Sequence, residues 1–338
     1  MTEKMHKDRP SNIRSLKISD RSFYILATFL LAAVMLTACI PYSQKSRLNT
    51  AQRISGEALL IRVDMHTPSF PATLFEDIKS KGDTATLYIG GKPLSHTPVK
   101  GAVYNPTPRD PVGLRLAAAD KTGGNIAYIA PPCTYLTLEA MDKCDKTIFA
   151  DHRYSEKVLQ GYDHILARYR NRYDISGFHL VGYSGGATTA ALLADRHPDV
   201  VSLRTVAGEL DLDIVAENLG LDPLYASRNP AEASLALGGL PQHHFLGDED
   251  TIVTADVLSS YVQSIGPSPC VRTTMVNNAT HHKGWVSKWP SLLKAPVDCR
   301  AENIIFNIED TGEDVGNEFE MNALGIPDEI YEPVIEEE

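Results

Sequence analysis

Short apolar runs alternate with longer amphipathic stretches through most of the chain after residue 58. The apolar runs predict seven β-strands, at residues 59–63, 84–89, 125–130, 177–182, 202–207, 243–246 and 272–276. Between them, residues 155–170 carry apolar side chains at helical spacing, and the Ala- and Leu-rich segment 186–196 ends before Pro198. Alternation of this kind predicts an α/β fold with a mostly parallel central sheet flanked by helices.

The N-terminal segment has the composition of an export signal. Six basic residues precede an apolar run at 23–36, which is shorter than the ~20 residues that span a bilayer. The run ends in Leu36-Thr37-Ala38-Cys39, which resembles the lipobox of bacterial lipoproteins, where cleavage precedes a cysteine that is then acylated. The alternative is a transmembrane anchor with an incidental cysteine. We expect a signal peptide at 1–38, a lipidated Cys39 and a polar membrane tether at 39–56.

The predicted location follows from the same motif. A lipid on Cys39 would hold the protein in the cell envelope, with the membrane as its partner. Ile40 stands where an aspartate would favour retention at the inner membrane, so we expect an outer-membrane protein that faces the periplasm.

Charge separates the chain into a body and a tail. The formal charge is −11, but residues 309–338 contain twelve acidic residues and no Lys or Arg, so the rest is nearly neutral. We therefore expect a folded domain at 57–308 and an acidic, disordered tail at 309–338. A concentrated basic face is missing from the sequence, so we expect no nucleic-acid partner.

The remaining four cysteines predict disulfides. An even number of cysteines suits an exported protein in an oxidising compartment. Proximity in sequence favours the pairs Cys133–Cys144 and Cys270–Cys299, although three pairings are possible and free buried thiols are the alternative. No cysteine or histidine cluster has zinc spacing, and no phosphate or dinucleotide loop occurs, so we expect neither a metal nor a cofactor.

The candidate nucleophile lies in Gly182-Tyr183-Ser184-Gly185-Gly186, a G-x-S-x-G sequence between a predicted strand and a predicted helix. A sharp turn at this position lifts a serine above the edge of the sheet, and flanking glycines allow strand and helix to approach closely. An ordinary serine in a glycine-rich turn is the alternative.

An acid and a base follow the serine along the chain, in the order serine, acid, histidine that accompanies a G-x-S-x-G turn. Asp250 follows the strand predicted at 243–246 in a G-x-x-D-x-x-V pattern, with Asp248 and Asp211 as alternatives. After the last predicted strand come His281 and His282, of which we choose His281 as the base.

Two backbone N–H groups should bind the oxyanion. Gly185, directly after the nucleophile, should supply one, and Gly91 in the loop Gly90-Gly91-Lys92 should supply the other. A plain turn is the alternative for this loop.

Several further segments resemble a family of bacterial α/β-hydrolase proteins, over about residues 84–289. The resemblance rests on the serine turn, on His281 with Trp285, and on residues 87–91, 106–111, 130–135 and 227–230. It implies the fold of a serine hydrolase and does not name a substrate. With the serine, acid and base in place, we expect a serine hydrolase that acts on the ester, thioester or similar acyl bond of a small or lipid-like substrate. The alternatives are a non-catalytic binding or envelope-assembly protein and a serine peptidase.

Overall fold

The computed structural model describes residues 44–91 and 105–299. The predicted signal peptide, Cys39 and the acidic tail lie outside these residues, as do the first residues of the expected tether and Lys92. Within the described residues, no helix combines the length and the apolar character needed to cross a bilayer.

The centre of the molecule is a mostly parallel sheet, as the sequence predicted. Its strands in the described part of the chain are β1 Ile61–His66, β2 Pro71–Asp77, β3 Ala85–Ile89, β4 Asn125–Ile129, β5 Phe178–Tyr183, β6 Val200–Val206, β7 Gln242–Gly247 and β8 Val271–Val276. Their spatial order is β1-β2-β4-β3-β5-β6-β7-β8. Strand β2 pairs antiparallel with both β1 and β4, whereas the pairs from β4 to β8 are all parallel. The carboxyl ends of six neighbouring strands therefore meet at one edge, where ligands bind in open α/β sheets.

Helices cover both faces of this sheet. They are α1 Gln44–Glu57, α2 Val112–Ala119, α3 Leu138–Asp142, α4 Glu156–Tyr173, α5 Gly185–Arg196, α6 Leu212–Leu219, α7 Pro230–Ala233, α8 Ala255–Ile265 and α9 Trp285–Leu292, with 3₁₀ turns at Lys146–Phe149 and Ser234–Gly239. Successive strand residues point to opposite faces. Leu87 accordingly packs with buried residues of α4, α5 and α8, and Tyr88 packs with those of α1, α2 and α9.

Two elements differ from the sequence prediction. Residues 44–57, expected within or next to a polar tether, form α1, whose Ala51 and Ile54 are buried in the core layer that also holds α9. Strand β2 was not predicted. It lies between β1 and β4, and its Glu76 is buried against α4, where Arg168 donates two hydrogen bonds of 2.9 Å to the carboxylate.

Two disulfides join the pairs that the sequence favoured. Cys133 is bonded to Cys144, with Cα atoms 6.4 Å apart, and Cys270 is bonded to Cys299, with Cα atoms 3.9 Å apart. The first bond closes the loop that leads from β4 towards α4. The second fixes the segment after α9 to the residue that precedes β8.

Candidate active site

Ser184 occupies a strained turn between β5 and α5. Its backbone has φ 54° and ψ −129°. A positive φ is rare for any residue other than glycine. The two nearby glycines leave no room for a side chain. A Cβ on Gly182 would lie 2.3 Å from the Cα of Ala187, and a Cβ on Gly186 would lie 2.1 Å from the carbonyl oxygen of Ile89. The G-x-S-x-G spacing therefore allows the close approach of strand and helix that the turn needs.

Three side chains at the carboxyl edge of the sheet are hydrogen-bonded in series. Ser184 Oγ lies 2.9 Å from His281 Nε2, and His281 Nδ1 lies 3.0 Å from Asp250 Oδ2. The other oxygen of Asp250 accepts 2.9 Å bonds from the backbone N–H groups of Ile252 and Val253, which orient the carboxylate. The predicted serine, base and acid thus come together, although they are 97 and 31 residues apart in sequence.

The alternative acids have other partners. Asp211 begins α6, where its side chain accepts backbone N–H bonds and a 2.6 Å bond from Ser260 Oγ. Asp248 accepts a 3.2 Å bond from the backbone of Ala279. Of the three candidate carboxylates, Asp250 is therefore the one that meets the imidazole of His281.

The second histidine of the pair also lies near the site. His282 is exposed, and its Nδ1 lies 3.0 Å from the hydroxyl of Tyr183. The same hydroxyl donates a 2.8 Å bond to the backbone carbonyl of His281. Burial, together with the negative charges of Asp250 and Glu209, raises the pKa of Tyr183 far above its usual value. Tyr183 therefore stays neutral and can hold the backbone that carries His281.

Glu209 was not predicted from the sequence as part of the site. It lies just beyond β6, is fully buried, and places Oε1 3.2 Å from Ser184 Oγ. Because a hydroxyl carries one proton, Glu209 and His281 compete to accept it. One sequence signal could have indicated Glu209. It follows a strand of the parallel sheet, and the ends of these strands lie at the edge that carries the serine turn.

The predicted oxyanion residues lie against each other. A Cβ on Gly91 would lie 2.5 Å from the backbone nitrogen of Gly185 and 2.1 Å from that of Gly186, so the loop after β3 contacts the first turn of α5 directly. The N-terminus of this helix carries free N–H groups and the positive end of the helix dipole. The free N–H groups and the helix dipole would both stabilise negative charge that develops beside Ser184.

A cavity of about 40 Å³ adjoins the same two glycines. Gly91 and Gly185 line it near the nucleophile, and the rest of its wall is formed by Gly90, Pro106, Pro131, Pro132, Ile148, Phe149, Arg153, Tyr154, Tyr162 and Thr189. The cavity thus extends from the candidate oxyanion site towards the start of α4.

Comparison with solved structures identifies the class of fold. The chain has the α/β-hydrolase fold, with the strand order and the serine turn described above. It is similar to an esterase of Pyrococcus furiosus at 12% identity and a TM-score of 0.50, over 71% of this chain and 91% of that one. It is also similar to Est1E from Butyrivibrio proteoclasticus, at 11% identity and a TM-score of 0.50, over 69% of this chain and 96% of that one.

A third similar structure is an alpha-beta serine hydrolase homologue from Coxiella burnetii, at 17% identity and a TM-score of 0.45, over 69% of this chain and 93% of that one. No protein-family model matches the sequence, and no curated protein matches it. At identities this low, the likeness is one of fold.

Proposed function

We propose that this protein is a membrane-tethered serine hydrolase that cleaves an ester, thioester or related acyl bond. The observation that carries the proposal is the series Ser184–His281–Asp250, with contacts of 2.9 and 3.0 Å at the carboxyl edge of an α/β sheet. A hydrolase of this kind needs a nucleophile, a base within hydrogen-bond reach and an acid that orients the base.

The proposed reaction proceeds through an acyl-enzyme on Ser184, with His281 as the base and then the acid. His281 Nε2 takes the hydroxyl proton as Ser184 Oγ bonds to the substrate carbonyl carbon, and the carbonyl π-electrons move to oxygen. When the tetrahedral intermediate collapses, the bond to the leaving group breaks and that group takes the proton from Nε2. Water repeats the sequence on the acyl-enzyme, which releases a carboxylic acid and restores the serine.

Asp250 and the glycines support this sequence. Asp250 Oδ2 keeps the Nδ1 proton of His281 directed away from the serine and stabilises the imidazolium once it forms. The N–H of Gly185 and the backbone of Gly91, which contact each other at the start of α5, would bind the oxyanion. The buried environment strengthens both effects, because Ser184 and His281 are 0% and 3% exposed.

The membrane tether is part of the proposal and has its own test. The motivation is the apolar run that ends at Cys39. Mass spectrometry of the protein extracted from membranes should find Cys39 as the N-terminus, with the added mass of its acyl groups. An uncleaved N-terminus or an unmodified Cys39 would refute this part of the proposal.

The catalytic assignment is tested by fluorophosphonate labelling and by hydrolysis of activated esters. Ser184→Ala should abolish labelling and lower kcat by a factor on the order of 10⁴. His281→Ala should have nearly the same effect, whereas the matched variant His282→Ala should retain most of the activity. Asp250→Asn should be severe but milder. A wild-type protein that neither labels nor hydrolyses any activated ester would instead favour a binding protein that keeps the fold.

A further inference from the structure

We infer that the acyl group accepted by this site is short, with about two to four carbons. The inference rests on the proposed function and adds the class of substrate. Its basis is the cavity of about 40 Å³ that begins at Gly91 and Gly185 and ends against the start of α4.

The position of the cavity assigns it to the acyl side of the scissile bond. A carbonyl oxygen bound at the N–H of Gly185 places the carbonyl carbon next to Ser184 Oγ. The cavity opens from the same glycine, so a substituent of that carbon can enter it. We assign the acyl chain to this space because it is the substituent that stays bonded to Ser184 in the acyl-enzyme, whereas the leaving group must depart.

The size of the cavity sets the length of the chain. One water molecule needs about 10–15 Å³ of such volume, so 40 Å³ holds about three water-sized groups. An acetyl, propionyl or butyryl chain fits this space. An octanoyl chain would have to move the wall or remain in solvent.

The wall is not easily moved. Ile148, Phe149 and Tyr162 are each at most 6% exposed and belong to the core layer that holds α4 and α5. Close-packed interiors resist a change of even one methylene. The bond between Cys133 and Cys144 also ties together the two segments that supply Pro131 and Ile148.

Arg153 adds a polar limit. Its Nε donates a 3.1 Å bond to the carbonyl of Ala150, and its Nη2 donates a 3.2 Å bond to that of Phe149, so the guanidinium is held at the cavity wall. Arg153 is only 8% exposed, and its N–H groups can form no hydrogen bond with a hydrocarbon chain. The chemistry of the wall therefore disfavours long chains for a second reason.

The test compares p-nitrophenyl acetate, butyrate and octanoate, with each rate normalised to hydroxide hydrolysis of the same ester. The leaving group is constant, so differences in kcat/KM report on the acyl chain. We expect acetate or butyrate to exceed octanoate by at least tenfold. Ile148→Ala should raise the octanoate-to-acetate ratio at least tenfold, and the milder Ile148→Val should raise it less.

The matched control is Ile175→Ala. Ile175 is as buried as Ile148 and lies in the same core layer, but it precedes β5, at the opposite end of that strand from the serine turn. This variant should keep the wild-type ratio. Wild-type enzyme that is labelled by fluorophosphonate but prefers octanoate, or treats the three esters equally, overturns the short-chain inference while the proposed function stands. Absence of both labelling and hydrolysis overturns the two together.

Discussion

Acidification from pH 7 to pH 5 should destabilise this protein through two adjacent histidines of β7. Burial lowers the pKa of His243 to about 4. A hydrogen bond that its Nδ1 donates to the carbonyl of Pro296 opposes the shift, and repulsion from Arg204 and Arg272 adds to it. Burial, with a smaller effect of His243, lowers the pKa of His244 to about 3. Both side chains are therefore neutral in the folded protein at pH 5.

The sign and size follow from linkage. An unfolded histidine titrates near 6.5, so between pH 6.5 and 4 the unfolded chain binds more protons than the folded one, and stability falls as pH falls. At pH 5 each unfolded imidazole gains about 2 kcal/mol from protonation, or about 4 kcal/mol for the pair. The free energy of unfolding of a protein is usually about 5–15 kcal/mol, so this loss is a large part of it. In a domain of this size, it corresponds to a Tm lower by about 10 °C.

The carboxylates act in a different pH range. The pKa of Asp163 is lowered because hydrogen bonds from Arg196 and His197 outweigh its burial, and the pKa of Asp199 is lowered by its contact with Arg170 in the same way. Their stabilising contribution is present above the unfolded value near 4 and is lost below it. The window from pH 7 to pH 5 therefore reports on the histidines, including a smaller contribution from the half-buried His179, whose pKa is lowered by burial and by Arg204.

Thermal unfolding followed by circular dichroism, at pH 7 and pH 5 and constant ionic strength, measures the effect. His244→Gln should remove about half of the pH-dependent drop in Tm, because an amide can replace the 2.8 Å contact with Thr205 but does not titrate. The exposed His152 supplies the control, and His152→Gln should leave the drop unchanged. Equal Tm values for the wild type at both pH values would refute the reasoning.

Three further outcomes are expected. Cys133→Ser with Cys144→Ser should lower the free energy of unfolding by about 3 kcal/mol, measured by urea denaturation, because the bond closes a short loop. Arg168→Met should cost about 3–5 kcal/mol in the same assay, because it leaves the Glu76 carboxylate buried without its cation, and adding Glu76→Met should recover part of this loss. Truncation after Ile308 should leave Tm and labelling nearly unchanged, since the tail has little apolar surface to bury; a large drop in Tm would show that it docks on the body.

Local patterns made the central part of the fold predictable. Strand β5, the turn at Ser184 and helix α5 are consecutive in sequence, and glycine spacing alone indicates the close approach between them. The mostly parallel sheet followed from the alternation of short apolar runs with helical ones. Chain order then allowed an acid and a base to be chosen downstream of the serine.

Long-range contacts explain what was not predictable. Strand β2 begins with Pro71 and ends in Glu76 and Asp77, a composition typical of a loop. Its Glu76 is tolerated in the sheet because Arg168, Tyr173 and Tyr169 all bond to the carboxylate, and these bonds together lower its pKa although burial alone would raise it. No local pattern reveals partners more than ninety residues away.

Helix α1 and Glu209 show the same limit. The helix 44–57 is polar overall, and its buried stripe is reduced to Ala51 and Ile54, which is too little to distinguish it from a tether by sequence. Glu209 meets Ser184 only because β5 and β6 are neighbours in the sheet. The sequence favoured His281 over its neighbour His282, and in the structure it is His281 that contacts Asp250.

The Cys133–Cys144 bond has a practical consequence for anyone who prepares this protein. It links two walls of the cavity that we propose for the acyl chain, and such a bond does not form in a reducing cytoplasm. Material made in the cytoplasm of a production strain would have those walls uncoupled, and its chain-length profile would be broader than that of exported material. Under the proposed function, the compartment in which the protein is produced therefore helps to determine its substrate selectivity.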